Sequence, residues 1–269
     1  MIPTSIFIVT YSKDFPYLKY CLASIEKFAT GFEQVCILVP TQDYFALREL
    51  VAALPGKSGI PINCYCADEW EGKGMNWHQA QIMRAPAWCG PQGYIAHFDA
   101  DCIFTAPVTP DTFCEKGKPV LRYERFDTIG RRHPGVLNWK DAAERCLPFQ
   151  AEFETMRGHP EIYKADLYSH ARQVVQDAVR QPMDDYIRQQ RNEYPQTFCE
   201  FVTLGNVAMT FHADDYALFD CATQANPDFQ PWPVQQFWSH GAIDQPQDIW
   251  VRGEKKVVVP IDFIKSLGL

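Results

Sequence analysis

The stretch Tyr94-Ile95-Ala96-His97-Phe98-Asp99-Ala100-Asp101-Cys102-Ile103-Phe104 sets two carboxylates, one residue between them, where an apolar run breaks. No other Asp-x-Asp occurs in the chain. Two hard oxygen donors suit Mg²⁺ or Mn²⁺, ions that keep open positions for diphosphate oxygens and water. The placement strengthens the motif, because ligands of an open parallel sheet collect beyond the carboxyl ends of its strands. The alternative is a solvated turn in which one aspartate caps the next helix. Apolar flanks on both sides argue instead for a buried edge, where unpaired charge is costly without a cation.

Other residues can serve the same chemistry. Glu200 is a single acid between Thr-Phe-Cys and Phe-Val-Thr-Leu; partial burial would raise its pKa toward a value suited to taking a proton from a hydroxyl. It could equally hydrogen-bond acceptor hydroxyls or a structural arginine. Thr10 and Tyr11 end the first apolar run, where a hydroxyl, backbone amides and an aromatic face can meet a nucleobase and ribose, with Asp14 as a further partner. Arg84 offers a planar fork for diphosphate oxygens, or is simply a surface arginine. A neutral His240 can ligate Mn²⁺ or donate to a phosphate oxygen, though a histidine among aromatics is often structural. Trp232, Phe237 and Trp238 can stack on a sugar or fill a core. Tyr123, Arg125 and Trp139 flank a loop that can meet an acceptor, and His78, His97 and His212 are read as structural.

These residues need a frame. Residues 6–10 form a short apolar run followed by Thr-Tyr-Ser-Lys-Asp, a buried strand and its loop. Leu18, Leu22, Ile25 and Phe28 then recur at helical spacing. Strands follow at 35–39, 62–66 and 94–98, separated by helices at 44–54 and about 76–87. That alternation predicts an α/β fold, a mostly parallel central sheet with helices on both faces. Beyond residue 105 the rhythm changes: a Pro- and Thr-rich loop to 119 reads as an acceptor-binding edge. Strands are expected at 120–123 and 207–211, a helix interrupted by Pro182 over 169–191, and a last strand and short helix over 257–269.

With these residues in view, the chain resembles a GT-A glycosyltransferase, the Rossmann-like fold of nucleotide-diphospho-sugar transferases, over most of its length. The resemblance rests on the first strand with Thr-Tyr-Ser-Lys-Asp and the strand ending in Asp-Ala-Asp. Three further stretches are similar to a little-characterised bacterial GT-A-like family. Residues 77–84, Trp-His-Gln-Ala-Gln-Ile-Met-Arg, resemble its Trp-x-x-Gln-Gln-x-x-Lys helix, with Ala80 for the first Gln and Arg84 for the Lys. Residues 198–201, with Gly205-Asn206, resemble its Ser-Glu-Tyr motif, with Cys199 and Phe201 as departures. Phe237-Trp238-Ser239-His240-Gly241 lies where many such enzymes place a metal-completing histidine.

The resemblance implies one GT-A domain over 1–269, in which 1–105 binds the nucleotide sugar and 106–269 the acceptor. It implies Asp99, Asp101 and His240 on Mn²⁺ or Mg²⁺. Thr10, Tyr11, Asp14, Gln81 and Arg84 would hold the donor nucleotide and diphosphate, with Trp77, Tyr123 and Trp238 near the acceptor or sugar and Glu200 catalytic. A glycan, a lipid-linked precursor or a modified DNA base would be the acceptor. Rival readings are a sugar nucleotidyltransferase, which normally carries a Gly-rich loop absent from residues 10–13, and a non-catalytic carbohydrate-binding protein of the same fold.

Bulk properties set the outer bounds. With 46% hydrophobic and 14% aromatic residues, 269 residues can bury a large core. A formal charge of -8 argues against holding nucleic acid mainly by phosphate neutralisation. The N-terminal residues lack a basic leader, and no run reaches the roughly 18 apolar residues needed to span a bilayer, so a cytoplasmic protein without a membrane span is expected. Ten cysteines scattered singly read as reduced thiols, and Cys64-x-Cys66 lacks a second pair for zinc.

Overall fold

A computed structural model describes residues 2–56, 58–193, 195, 197–224, 232–237, 242–251 and 254–269. The first half alternates in order: β1 (Thr4–Val9), α1 (Phe15–Phe28), β2 (Val35–Pro40), α2 (Tyr44–Ala52), β3 (Ile62–Ala67), α3 (Gly74–Ile82), α4 (Ala85–Cys89) and β4 (Tyr94–His97). The helix expected over 76–87 is therefore two helices. Pro86 in the first turn of α4 lacks an amide and has its φ preset, which suits a helix start.

The second half adds β5 (Cys102–Phe104), β6 (Cys114–Glu115), β7 (Lys118–Arg125), α5 (Phe126–Arg132), α6 (Leu137–Glu144), β8 (Phe153–Glu154) and β9 (Glu161–Lys164). Then come α7 (Ala165–Val179), α8 (Met183–Gln189), α9 (Glu200–Phe211), β10 (Ala217–Asp220), β11 (Val234–Gln236), β12 (Gln247–Val251), β13 (Glu254–Val258) and α10 (Pro260–Ser266).

The main sheet has the order β3-β2-β1-β4-β9. Four of its strands are parallel, and β9 runs antiparallel to β4 with His97 opposite Glu161. Successive residues of a strand point to opposite faces, and β1 divides accordingly. Phe7 and Val9 join a core with Trp77, Tyr168, Ile187 and Val202, from α3, α7, α8 and α9. Ile6 and Ile8 join a second core with Leu18, Leu22, Leu47 and Ile264, from α1, α2 and α10. The protein is thus α/β, with a mixed, mostly parallel sheet covered by helices on both faces, and both cores draw on residues before and after 105. A smaller sheet, β10-β7-β6 with β8 on β7, and the pair β11–β5 complete the second half.

One expected element is corrected. Residues 207–211 read as a strand but end the helix α9, which is buried from Glu200 to Ala208. A helix buried on every side loses the polar stripe that marks helical period, so its sequence is locally indistinguishable from a buried strand. α9 seats its backbone tightly. An alanine Cβ at Gly205 would stand 2.1 Å from Thr155 Oγ1, which itself donates to the Phe201 carbonyl at 3.0 Å. Gly205→Ala is therefore expected to cost about 1–3 kcal/mol, read as a lowered denaturant midpoint and partly relieved by a second change, Thr155→Ala. An unshifted midpoint would mean that α9 does not rest on Thr155.

All ten cysteines are free thiols, and no helix of the described residues is long and apolar enough to cross a membrane.

Candidate functional site

The chain leaves β1 for β2 and β3 on one side, then returns to β4 on the other. Connections that depart in opposite directions leave a crevice at the carboxyl edge between the two strands, the ordinary ligand site of open α/β sheets. Phe7 pairs with His97, so the residues following β1 and β4 emerge side by side. A cleft of about 450 Å³ lies there. Thr10, Tyr11, Lys13 and Asp14 line it from the loop after β1, Asp99, Ala100 and Asp101 from the loop after β4, and Glu69, Gly74, Met75 and His78 from the wall formed by α3 and the loop before it.

Five of the residues singled out in the sequence therefore share one cavity: Thr10, Tyr11, Asp14, Asp99 and Asp101. Thr10 is buried, and its Oγ1 has no partner among the described residues. Tyr11 donates its hydroxyl to the Gly74 carbonyl at 2.5 Å and packs its ring 5.7 Å from that of Trp77. Burial, with Glu69, Asp14 and Asp43 nearby, raises the Tyr11 phenol far beyond its ordinary range, so it remains a neutral donor.

Asp99 is held by partners from two distant segments. His159 Nε2 lies 3.1 Å from Asp99 Oδ2, and Gln236 Nε2 donates to the same oxygen at 3.1 Å. On its other side His159 Nδ1 is 2.7 Å from Glu161 Oε2. Burial works against a charged imidazole, but the carboxylates of Glu161 and Asp99 outweigh it and hold His159 well above its usual pKa. The converse applies to Asp99, whose carboxyl is lowered by His159 despite burial. β9 places this histidine, because its antiparallel course brings its N-terminal end to the carboxyl edge of the parallel strands. β11 places Gln236, and the amide of the next residue, Phe237, donates to the Asp101 carbonyl at 3.0 Å.

His78, read as structural, lines the cleft. Its Nε2 is 3.2 Å from the Val9 carbonyl, and burial pushes its pKa down against the opposing pull of Asp99 and the Val9 carbonyl.

The remaining predicted residues lie elsewhere. Glu200 opens α9 and is 8% exposed, outside the cleft lining. Burial, opposed by its own backbone amide and by Gln79 and reinforced by Asp99 and Glu161, pushes it up to about 7. Gln81 is buried in α3, not at the cleft. Arg84, expected on diphosphate, is instead ion-paired with Asp184, which also holds Arg172 at 3.1 Å. The break between α3 and α4 turns Arg84 toward α8. Trp77 is fully buried and donates its Nε1–H to the Asp68 carbonyl at 2.9 Å, so it has no face to offer a sugar. Tyr123 packs edge-on to Phe153 at 5.2 Å, away from the cleft lining. His240 and Trp238 lie outside the described residues.

The donor set fits a hard divalent cation. Asp99 and Asp101 line one cavity, and His159 and Gln236 both meet the Asp99 carboxylate at the same oxygen, Oδ2. Mg²⁺ and Mn²⁺ are commonly held by one or two carboxylates together with substrate phosphates and water. Among the described residues no group of three or more His, Cys, Asp or Glu side chains forms a metal cage. The cleft is lined by four carboxylates against one lysine, Lys13, among the described residues.

Comparison with known families and with curated proteins found no family model and no curated protein that matches the chain.

Proposed function

We propose that the chain is a metal-dependent glycosyltransferase of GT-A type, moving a sugar from a nucleoside-diphosphate sugar to a hydroxyl of a glycan, a lipid-linked precursor or a modified nucleobase. One observation carries the reading: Asp99 and Asp101 share a cleft with Thr10 and Tyr11 at the carboxyl ends of the paired strands β1 and β4. Carboxylates for a cation and groups for a nucleoside are thereby joined in one cavity. The cleft is lined by four carboxylates and one lysine, and His159 beside Asp99 offsets only part of that charge, so a diphosphate would enter more readily with a cation, which supports metal dependence.

In this reading Asp99 and Asp101 would hold Mn²⁺ or Mg²⁺. When bound, the ion supplies positive charge to the departing diphosphate. The Thr10 hydroxyl and the Tyr11 ring hold the nucleoside. His159 and Gln236 fix the Asp99 carboxylate, and such supporting bonds tune ligand orientation. Glu200 lies outside the cleft lining, so an acceptor would have to extend past the cavity to meet it; there its carboxyl, pushed up to about 7, would be matched to accepting a proton near neutrality. As the acceptor oxygen forms its bond to the anomeric carbon and the bond to diphosphate breaks, that proton passes to Glu200 if configuration inverts. If configuration is retained, Glu200 orients the acceptor.

The test is a thermal-shift titration with UDP, GDP, CDP and dTDP, each with and without Mn²⁺, on the wild type and Asp101→Ala. A ligand bound only by the folded state raises the melting temperature by mass action, about 2.7 kcal/mol at a hundred-fold excess over Kd. The expected result is stabilisation of the wild type by at least one nucleotide only when Mn²⁺ is present, and none of the variant. Stabilisation by no nucleotide under either condition would overturn the reading.

A further inference from the structure

The rim of the cleft is built around one carboxylate that the mechanism leaves unused. The loops after β1, β2 and β3 are tied together: Ser12 N–H donates to Asp43 Oδ2 at 2.8 Å, Thr41 Oγ1 to Asp68 Oδ1 at 2.7 Å, and Gln42 Nε2 to Glu69 Oε2 at 3.0 Å. Glu69 Oε1 lies 2.8 Å from the place a Cβ on Gly74 would take. The carboxylate thus rests against the first turn of α3, where helix amides favour negative charge, and any side chain at 74 would displace it. The Gly74 carbonyl in turn accepts the Tyr11 hydroxyl, so ring and carboxylate are fixed through the same residue. Lys13 Nζ stands 5.7 Å from the centre of the Tyr11 ring, and Lys13, Glu69 and Tyr11 all line the cleft. So does Thr10, whose buried hydroxyl has no protein partner among the described residues.

A fixed carboxylate and an ammonium group on one wall discriminate among nucleobases by their hydrogen-bonding edges. A carboxylate is acceptor-only and takes two parallel donors best, while an ammonium is donor-only. Guanine presents a carbonyl followed by two adjacent donors, N1–H and the exocyclic amino group. Uracil and thymine present one donor between two carbonyls, so bringing that edge to a carboxylate sets a carbonyl against it. Adenine and cytosine each pair an amino group with an unprotonated ring nitrogen, and that nitrogen would meet the same repulsion.

Resting on the nucleotide-sugar reading above, we propose that the donor is a guanosine diphosphate sugar. Glu69 takes the N1–H and amino protons of the base, Lys13 meets its carbonyl, and Tyr11 supplies the stacking face. Glu69 is the specificity-determining residue, and Gln42 positions it.

Isothermal titration of the protein with GDP, UDP, CDP and ADP in the presence of MnCl₂ decides the matter. GDP should bind at least about ten-fold more tightly than UDP, the discrimination of one good bidentate pair. Glu69→Gln offers one acceptor and one donor in place of two acceptors; it should weaken GDP by at least about ten-fold and leave UDP unchanged or tighter. UDP binding as tightly as GDP to the wild type, or an unchanged GDP-to-UDP ratio in the variant, overturns the proposal and leaves the nucleotide-sugar reading in place. Binding of no nucleotide overturns both. The wild-type panel reads out the base preference even if Glu69→Gln does not fold.

Discussion

Asp99→Asn should lower sugar transfer by about 10³-fold, whereas His159→Gln should lower it far less and recover at high Mn²⁺. The two residues touch, 3.1 Å apart, but the proposed mechanism uses them differently. Removing a carboxylate ligand takes away charge that the departing diphosphate needs, a loss of several kcal/mol in the barrier. In that mechanism His159 would act through Asp99, holding its carboxylate in place and ionised, and loss of such a supporting bond typically costs 10–100-fold in metal affinity. Release of nucleoside diphosphate, followed across an Mn²⁺ titration, separates the two. Asp99→Asn should stay slow at saturation, and His159→Gln should shift the half-saturating Mn²⁺ concentration upward while approaching the wild-type rate. If both variants respond alike, or if His159→Gln cannot be rescued by metal, Asp99 is not a cation ligand supported by His159.

The contrast also shows what local sequence can and cannot carry. Asp99 and Asp101 are legible because an apolar strand stops at them, and Thr10 and Tyr11 because the first strand ends there. Both signals are contained in a few adjacent residues. The placement of β1 next to β4 makes them one site, and the alternation of strands and helices makes the mostly parallel sheet legible as well. His159 and Gln236 are different. They reach Asp99 from 60 and 137 residues away, through an antiparallel edge strand of four residues and a strand of three, lengths too short for period two to emerge. Nothing next to His159 in the chain marks it; the signal would have been the pairing of His97 with Glu161, which is a tertiary fact. Glu69 is hidden for a related reason. Its position depends on Gln42 and on the missing side chain at Gly74, and neither residue is near it in the pattern of apolar spacing. Arg84 was legible as a cation but not as a partner, because Asp184 lies on a helix a hundred residues later.

Glu200→Gln is expected to act in opposite directions on stability and activity, with a pH dependence that identifies the cause. Burial pushes the Glu200 carboxyl up from 4.5 to about 7. Below about pH 4.5 the acid is protonated whether the chain is folded or not, and no stability difference arises. As the pH rises from there the unfolded chain releases the proton while the folded chain retains it, so the wild type loses stability until about pH 7 and no further beyond it. The full penalty is about 3 kcal/mol. Glutamine resembles the neutral acid and escapes it. The variant should therefore match the wild type near pH 4.5 and exceed it by up to about 3 kcal/mol at pH 8, measured as the difference in denaturant midpoints across that range. Its transfer rate should fall, and the wild-type rise in rate through pH 7 should vanish with it, since only the ionised carboxylate accepts a proton. A stability gain with unchanged transfer would make Glu200 a buried acid without a catalytic role. Equal stability at every pH would mean that the carboxyl is not held neutral by the fold at all. The two results together decide whether the acid at the start of a helix otherwise buried among apolar neighbours has a use that offsets what its ionised form costs the fold.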